Sequence, residues 1–163
     1  MQGHVDGLAD RGLQATAIDL PLRAAEAAVP VYRERAAELG TPTTLVIGGQ
    51  SYGGRVASLL AAQDGGFAGL ICFSYPLHRP GQPDWQTRTV HWPDIRVPVL
   101  LLSGEADPFA RLDLLRLAIV ERLPNARLVT YPRQGHSLRP VLDAALDAAA
   151  GFVLELEARA GSA

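Results

Sequence analysis

The chain of 163 residues contains no lysine; all 15 of its strongly basic residues are arginine. With a formal net charge of −2 and no stretch that collects positive charge, it lacks the electrostatic footprint of a nucleic-acid or anionic-membrane binder. The absence of lysine beside abundant Ala, Leu and Gly points to GC-rich coding rather than to thermal adaptation. Cysteine is nearly absent as well. Cys72 stands alone, so no internal disulfide can form, which suits a reducing compartment. It lies in the apolar run "GLICFSYP", the setting of a buried, unreactive thiol. No apolar run approaches a membrane span, and the start "MQGHVDGLADRG" has neither a basic nor an apolar leader region. The expectation is a cytoplasmic protein without membrane or nucleic-acid partners. Composition leaves homo-oligomerisation open.

What the chain does have is strand-length apolar runs separated by helical patterns. The runs are "ATAIDL" (Ala15–Leu20), "TLVIGG" (Thr44–Gly49), "GLICFSY" (Gly69–Tyr75), "VPVLLLSG" (Val97–Gly104) and "ARLVTYP" (Ala126–Pro132). They are almost continuously apolar, as in strands buried on both faces of a parallel sheet. Helical faces fall between them. Val5, Leu8 and Ala9 form one, ended by Gly12. Val31, Tyr32, Ala36 and Leu39 form a second, with Pro30 expected in its first turn and Gly40 as its stop. Val56, Leu59 and Leu60 form a third, stopped by Gly65 and Gly66; Leu112, Leu115, Ile119 and Leu123 form a fourth. Val141 to Leu156 make a C-terminal helix. The pattern predicts an α/β fold: a three-layer sandwich with a mostly parallel sheet of about five strands and helices on both faces. One domain is expected over residues 1–158, with a frayed tail over 159–163. The Pro-rich segment Pro76–Pro98 carries both tryptophans and breaks the rhythm; a loop of that length is often functional.

The chemistry-bearing stretch is "VIGGQSYGGRVAS" (Val46–Ser58), in which Gly49-Gln50-Ser51-Tyr52-Gly53 is a G-x-S-x-G string. It follows a buried strand and opens a helix, the context in which a strained turn projects a serine hydroxyl above a sheet. Glycines are expected where strand and helix pass too closely for side chains. Ser51 read as an ordinary turn residue is the alternative. A phosphate-binding loop fails because no lysine exists, and the dinucleotide fingerprint is missing. A serine nucleophile needs an imidazole base, and the base needs a carboxylate. Asp107, in "LLLSGEADPF", and His136, in "VTYPRQGHSL", each follow a strand, and the order Ser51, Asp107, His136 is the order such a site requires. All three then fall at the carboxyl ends of strands, where open α/β sheets bind ligands. Alternatives stay open. Asp107 suits a helix N-cap before Pro108, Glu105 is a substitute acid, and a satisfied surface histidine is the alternative for His136. His4, His78 and His91 read as bystanders, with contact to substrate the alternative for His78 and His91 in the long loop. Gln50, Trp85, Trp92 and Phe109 are candidate pocket residues, the tryptophans walling an apolar pocket. A lone cysteine and scattered histidines give no metal spacing, and no cofactor is implied.

With these segments the sequence resembles the α/β-hydrolase superfamily, and within it the small dienelactone-hydrolase-like domains that include the testis-expressed-type hydrolase-like proteins. "GGQSYGGRVAS", "GLICFSYPLHRPGQP", "RVPVLLLSGEADPF" and "GHSL" carry the resemblance from Thr44 onward. It implies Ser51 as nucleophile, Asp107 as acid, His136 as base, and the Tyr52 backbone N–H as an oxyanion donor. The activity implied is cleavage of an ester, thioester or related acyl bond in a small-molecule substrate. The superfamily also places a strand ending in a His-Gly-type loop before the first helix, between the runs at Ala15–Leu20 and Thr44–Gly49. Here Met1 falls at or just before that helix. Two expectations follow: a shortened form in which Met1 is internal to a longer reading frame, or a naturally short domain that is a weakened hydrolase or is kept for protein interaction.

Overall fold

The computed structural model describes residues 2–162. Four parallel strands run in the order β1 (Val46–Gln50), β2 (Gly69–Phe73), β3 (Val99–Gly104), β4 (Ala126–Tyr131), so chain order and spatial order coincide. The helices are α1 (Gln2–Ala9), α2 (Ala25–Leu39), α3 (Tyr52–Asp64), the single turn α4 (Gln86–Thr89), α5 (Leu112–Arg122) and α6 (Leu142–Ala160). α6 continues two residues past the expected end of the domain.

The alternation of side chains along each strand divides the core in two. Leu70, Cys72, Val99 and Leu101 face α2, α3 and α5, packing with Val29, Leu60 and Leu115. Ile71, Phe73, Leu100 and Leu102 face α6, packing with Leu146, Ala149 and Phe152. Both sides of β2 and β3 are therefore dry, which is why these strands read as unbroken apolar runs. α1 joins the second layer. Arg11, just beyond it, donates to the Gly7 carbonyl (2.8 Å) and to Asp147 Oδ1 (2.7 Å) on α6.

The expected fifth strand, Ala15–Leu20, does not form. Ile18 and Leu20 do pack against the core. Yet no backbone hydrogen bond joins residues 14–20 to any other described residue, and a strand exists only through such a ladder. β1 consequently has no strand on its outer side among the described residues. Its exposed backbone is partly served by a side chain. Tyr32 Oη donates to the Gly48 carbonyl at 2.8 Å and accepts the Gly48 N–H at 3.0 Å, closing off one residue of an open edge. Burial pushes this phenol up to about 12. Pro30 is likewise not in a first turn. α2 begins five residues earlier, at Ala25, and holds Pro30 in its interior, where one helical hydrogen bond is missing.

Candidate active site

Ser51 is the hinge between β1 and α3. It has φ 51° and ψ −114°, a conformation L-residues rarely adopt. Two bonds over-determine it: its N–H donates to the Phe73 carbonyl of β2 at 2.8 Å, and its carbonyl accepts the Arg55 N–H of α3 at 3.1 Å. Close packing explains the glycines. A Cβ on Gly49 would lie 2.7 Å from the Gly53 carbonyl carbon, and one on Gly54 would lie 2.8 Å from the Gly49 oxygen. A Cβ on Gly53 would meet nothing within 4 Å. The second glycine the turn demands is thus Gly54, not the Gly53 that completes the sequence string. Behind Gly54 lies Cys72, whose thiol burial pushes up to about 12, keeping it protonated and unreactive.

The turn after β3 brings the carboxylate. Asp107 is buried, at 3% exposure. It does not cap α5, which starts at Leu112. Its Oδ1 instead accepts the Phe109 N–H at 2.8 Å, a local turn that fixes the carboxylate plane. Oδ2 accepts from His136 Nδ1 at 2.7 Å. The turn after β4 brings the imidazole, and His136 Nε2 lies 2.8 Å from Ser51 Oγ. A carboxylate only accepts, so the Nδ1 proton belongs to the Asp107 bond, and Nε2 is left to accept the serine proton. The two turns are also joined directly, by the Ala106 N–H donating to the Gln134 carbonyl at 2.9 Å. Gly104 permits this approach: a Cβ there would collide with the Gln134 backbone.

The structure thus brings Ser51, Asp107 and His136 into one hydrogen-bonded chain. Glu105 is not part of it; its carboxylate accepts from Thr130 Oγ1 on the exposed side of β4. Tyr52 opens α3, so its backbone N–H has no acceptor within the helix, while its hydroxyl donates to the Pro21 carbonyl at 2.9 Å. Phe109 lies against His136, with the two ring centroids 4.5 Å apart. Gln50 lines a cavity of about 390 Å³ beside the triad, together with Gly3, His4, Ser137, Arg139 and Leu142. Its lining is mixed and polar, not aromatic. Trp85 and Trp92 are elsewhere. They are 4% and 1% exposed, embedded in the core between the Pro76–Pro98 segment, α3 and α5. Trp92 packs edge-on to Tyr75, and Arg122 lies over Trp85. That segment is therefore filled with core, because its two largest apolar side chains gain more from burial than a solvent-facing loop allows.

His91 is half-buried beside this core, its Nε2 2.8 Å from Ser58 Oγ; desolvation, then the nearby Arg55 charge, depresses its pKa to about 4. His4, a bystander in the sequence, stands at the cavity with its ring edge-on to Phe73. Sequence reasoning missed the demand on Gly104, although "SGEADPF" places that glycine at a strand end. Among the described residues no group of three or more His, Cys, Asp or Glu side chains gathers where it would hold a metal ion, and no helix is long and apolar enough to cross a membrane.

Comparison with known proteins agrees with this architecture. The family model described as alpha/beta hydrolase domain matches residues 20–151. Among solved structures, a monoacylglycerol lipase of Paleococcus ferrophilus superposes with TM-score 0.74 at 13% identity, over 94% of this chain and 88% of that one. A predicted CIB-like hydrolase of Thermoplasma acidophilum gives 0.67 at 17% identity, over 86% of this chain and 64% of that one. A puromycin-hydrolyzing peptidase of Mycobacterium tuberculosis gives 0.61 at 19% identity, over 79% of this chain but 25% of that one. At such identities the superpositions establish a shared fold, and the family match, which extends over most of the chain, places it: this protein belongs to the α/β-hydrolase family.

Proposed function

We propose that the chain is a serine hydrolase that cleaves an ester, thioester or related acyl bond of a small-molecule substrate. The observation that carries this reading is the continuous relay of two hydrogen bonds, 2.8 and 2.7 Å, from a strained serine through an imidazole to a buried carboxylate. As Ser51 Oγ attacks the substrate carbonyl carbon, its proton passes to His136 Nε2. Asp107, already bonded to Nδ1, stabilises the imidazolium. The carbonyl oxygen becomes an oxyanion, and the Tyr52 N–H donates to it. When the bond to the leaving group breaks, His136 returns the proton to that group and leaves an acyl-serine. Water, deprotonated by the same nitrogen, then releases the acid and restores Ser51.

The test is intact mass after exposure to a fluorophosphonate probe. Stoichiometric labelling is expected, with none in Ser51→Ala. In Asp107→Asn the labelling rate should fall by about 10⁴-fold, because the amide favours the wrong imidazole tautomer. The open outer edge of β1 supports a second reading, a hydrolase-like domain kept for protein interaction. A folded protein that takes no label would decide for that reading.

A further inference from the structure

We propose that His78 is a positioning residue for the Asp107–His136 pair, acting through the backbone of Phe109 and Arg111; the inference rests on the triad reading above. His78, a bystander by its sequence with substrate contact as the alternative, is buried at 2% exposure behind the acid turn and is neither. A buried imidazole must find a partner for each ring nitrogen. The Arg111 N–H points at Nε2 from 3.1 Å, and since an amide N–H only donates, Nε2 must accept. The ring proton therefore sits on Nδ1, which donates to the Arg79 carbonyl at 2.8 Å. The backbone N–H of His78 donates in turn to the Phe109 carbonyl at 2.9 Å. One residue thus grips positions 109 and 111 from the turn after β2, the neighbouring strand.

Those two positions matter because of what they hold. The Phe109 N–H binds Asp107 Oδ1, which leaves Oδ2 for His136, and the Phe109 ring lies against the imidazole. Among the described residues no other backbone bond of the acid turn reaches across to β2; its remaining ones run to Gly104, to Tyr131, to Gln134 and, within the turn, from the Ala110 N–H to the Asp107 carbonyl at 3.2 Å. If the grip is lost, the turn is free to shift between β3 and α5 and the carboxylate shifts with it. A misplacement of about 1 Å at a catalytic group can cost on the order of 10²-fold in rate.

The variants His78→Gln and His78→Asn test this. Both keep the backbone bond to Phe109. Glutamine carries an acceptor as far as the Nε2 position, and asparagine does not. The readouts are kcat and KM for an ester that the wild type cleaves, the pH profile of kcat/KM, and the proton resonance of the His136–Asp107 bond. For His78→Asn the expectation is a fall of about 10- to 100-fold in kcat, with KM little changed. A looser carboxylate stabilises the imidazolium less, so the acid limb should move to lower pH, and the bridging proton signal should broaden. His78→Gln should recover most of each. Folded His78→Asn with wild-type kcat and an unmoved acid limb, or glutamine no better than asparagine, overturns the proposal. Should neither variant fold, Arg111→Pro removes the same hydrogen bond from its donor side, at a φ of −51° that suits proline, and wild-type kcat there overturns it too. If the wild type itself takes no fluorophosphonate and cleaves no ester, the proposed function fails, and the bridging proton alone decides whether His78 positions the pair.

Discussion

Ser51 combines a strained backbone with the one side chain that the site reading cannot spare. Its φ of 51° is held by bonds to β2 and α3. A non-glycine residue in such a region costs about 1–3 kcal/mol, and strain of this kind collects where function demands a geometry. Ser51→Gly should relieve it, offset by the greater freedom of glycine in the unfolded chain, about 0.4–1 kcal/mol. Measured against Ser51→Ala, which likewise lacks the Ser51 Oγ–His136 bond, the expected outcome is a folded variant more stable by about 1 kcal/mol in urea unfolding, with no fluorophosphonate label in either. A loss of stability would mean that the turn is not strained. The candidate residues were legible at this scale because each has its own local signal: a serine among glycines, and an aspartate and a histidine just past apolar runs. The role of His78 was not, because its partners lie at positions 109 and 111, in a separate turn of the chain.

At the scale of elements, β1 and α3 are joined so tightly that two glycines with the same surroundings in sequence differ in consequence. In an ordinary helix, Gly→Ala stabilises by up to about 1 kcal/mol. Gly53→Ala should behave this way, since a Cβ there meets nothing within 4 Å. Gly54→Ala should reverse the sign. Its Cβ would sit 2.8 Å from the Gly49 oxygen and 3.4 Å from Cys72 Cβ, forcing strand and helix apart at a cost of about 1–3 kcal/mol. Urea midpoints of the two variants compare the effects directly. The labelling rate of Ser51 should fall in the second variant only. The segment Ala15–Leu20 belongs to the same scale. Its apolar content was readable, but its state was not, because whether an extended run becomes a strand depends on a neighbour supplying the ladder.

For the molecule as a whole, the interior sets a pH dependence. His91, depressed to about 4 by burial and by Arg55, is neutral in the folded protein near pH 5, whereas in the unfolded chain it titrates near its ordinary value of about 6.5. Between those values the unfolded state binds more protons, so stability falls as pH falls, from about 7 toward 4. His4, lowered by burial beside Phe73, adds in the same direction. The expected loss between pH 7 and 5 is about 1–2 kcal/mol, read as a falling urea midpoint. His91→Gln should flatten most of it. An unchanged slope would show that His91 does not carry the effect.

The sequence by itself determined the layers. Apolar runs separated by 3.6-residue patterns dictate a parallel sheet between helices, since β2 and β3 can hide both faces only in that arrangement. It also determined the order of the candidate residues Ser51, Asp107 and His136 along the chain. Tertiary structure alone decided which neighbours those residues meet. Asp107 could have capped a helix; the register of β3 on β4 places it opposite the His136 turn instead, and Phe109 holds its other oxygen. Trp85 and Trp92 could have faced a ligand; burial against α3 and α5 took them into the core. Local sequence encodes periodicity and turn chemistry. Burial and hydrogen-bond partnership depend on what the rest of the chain brings alongside.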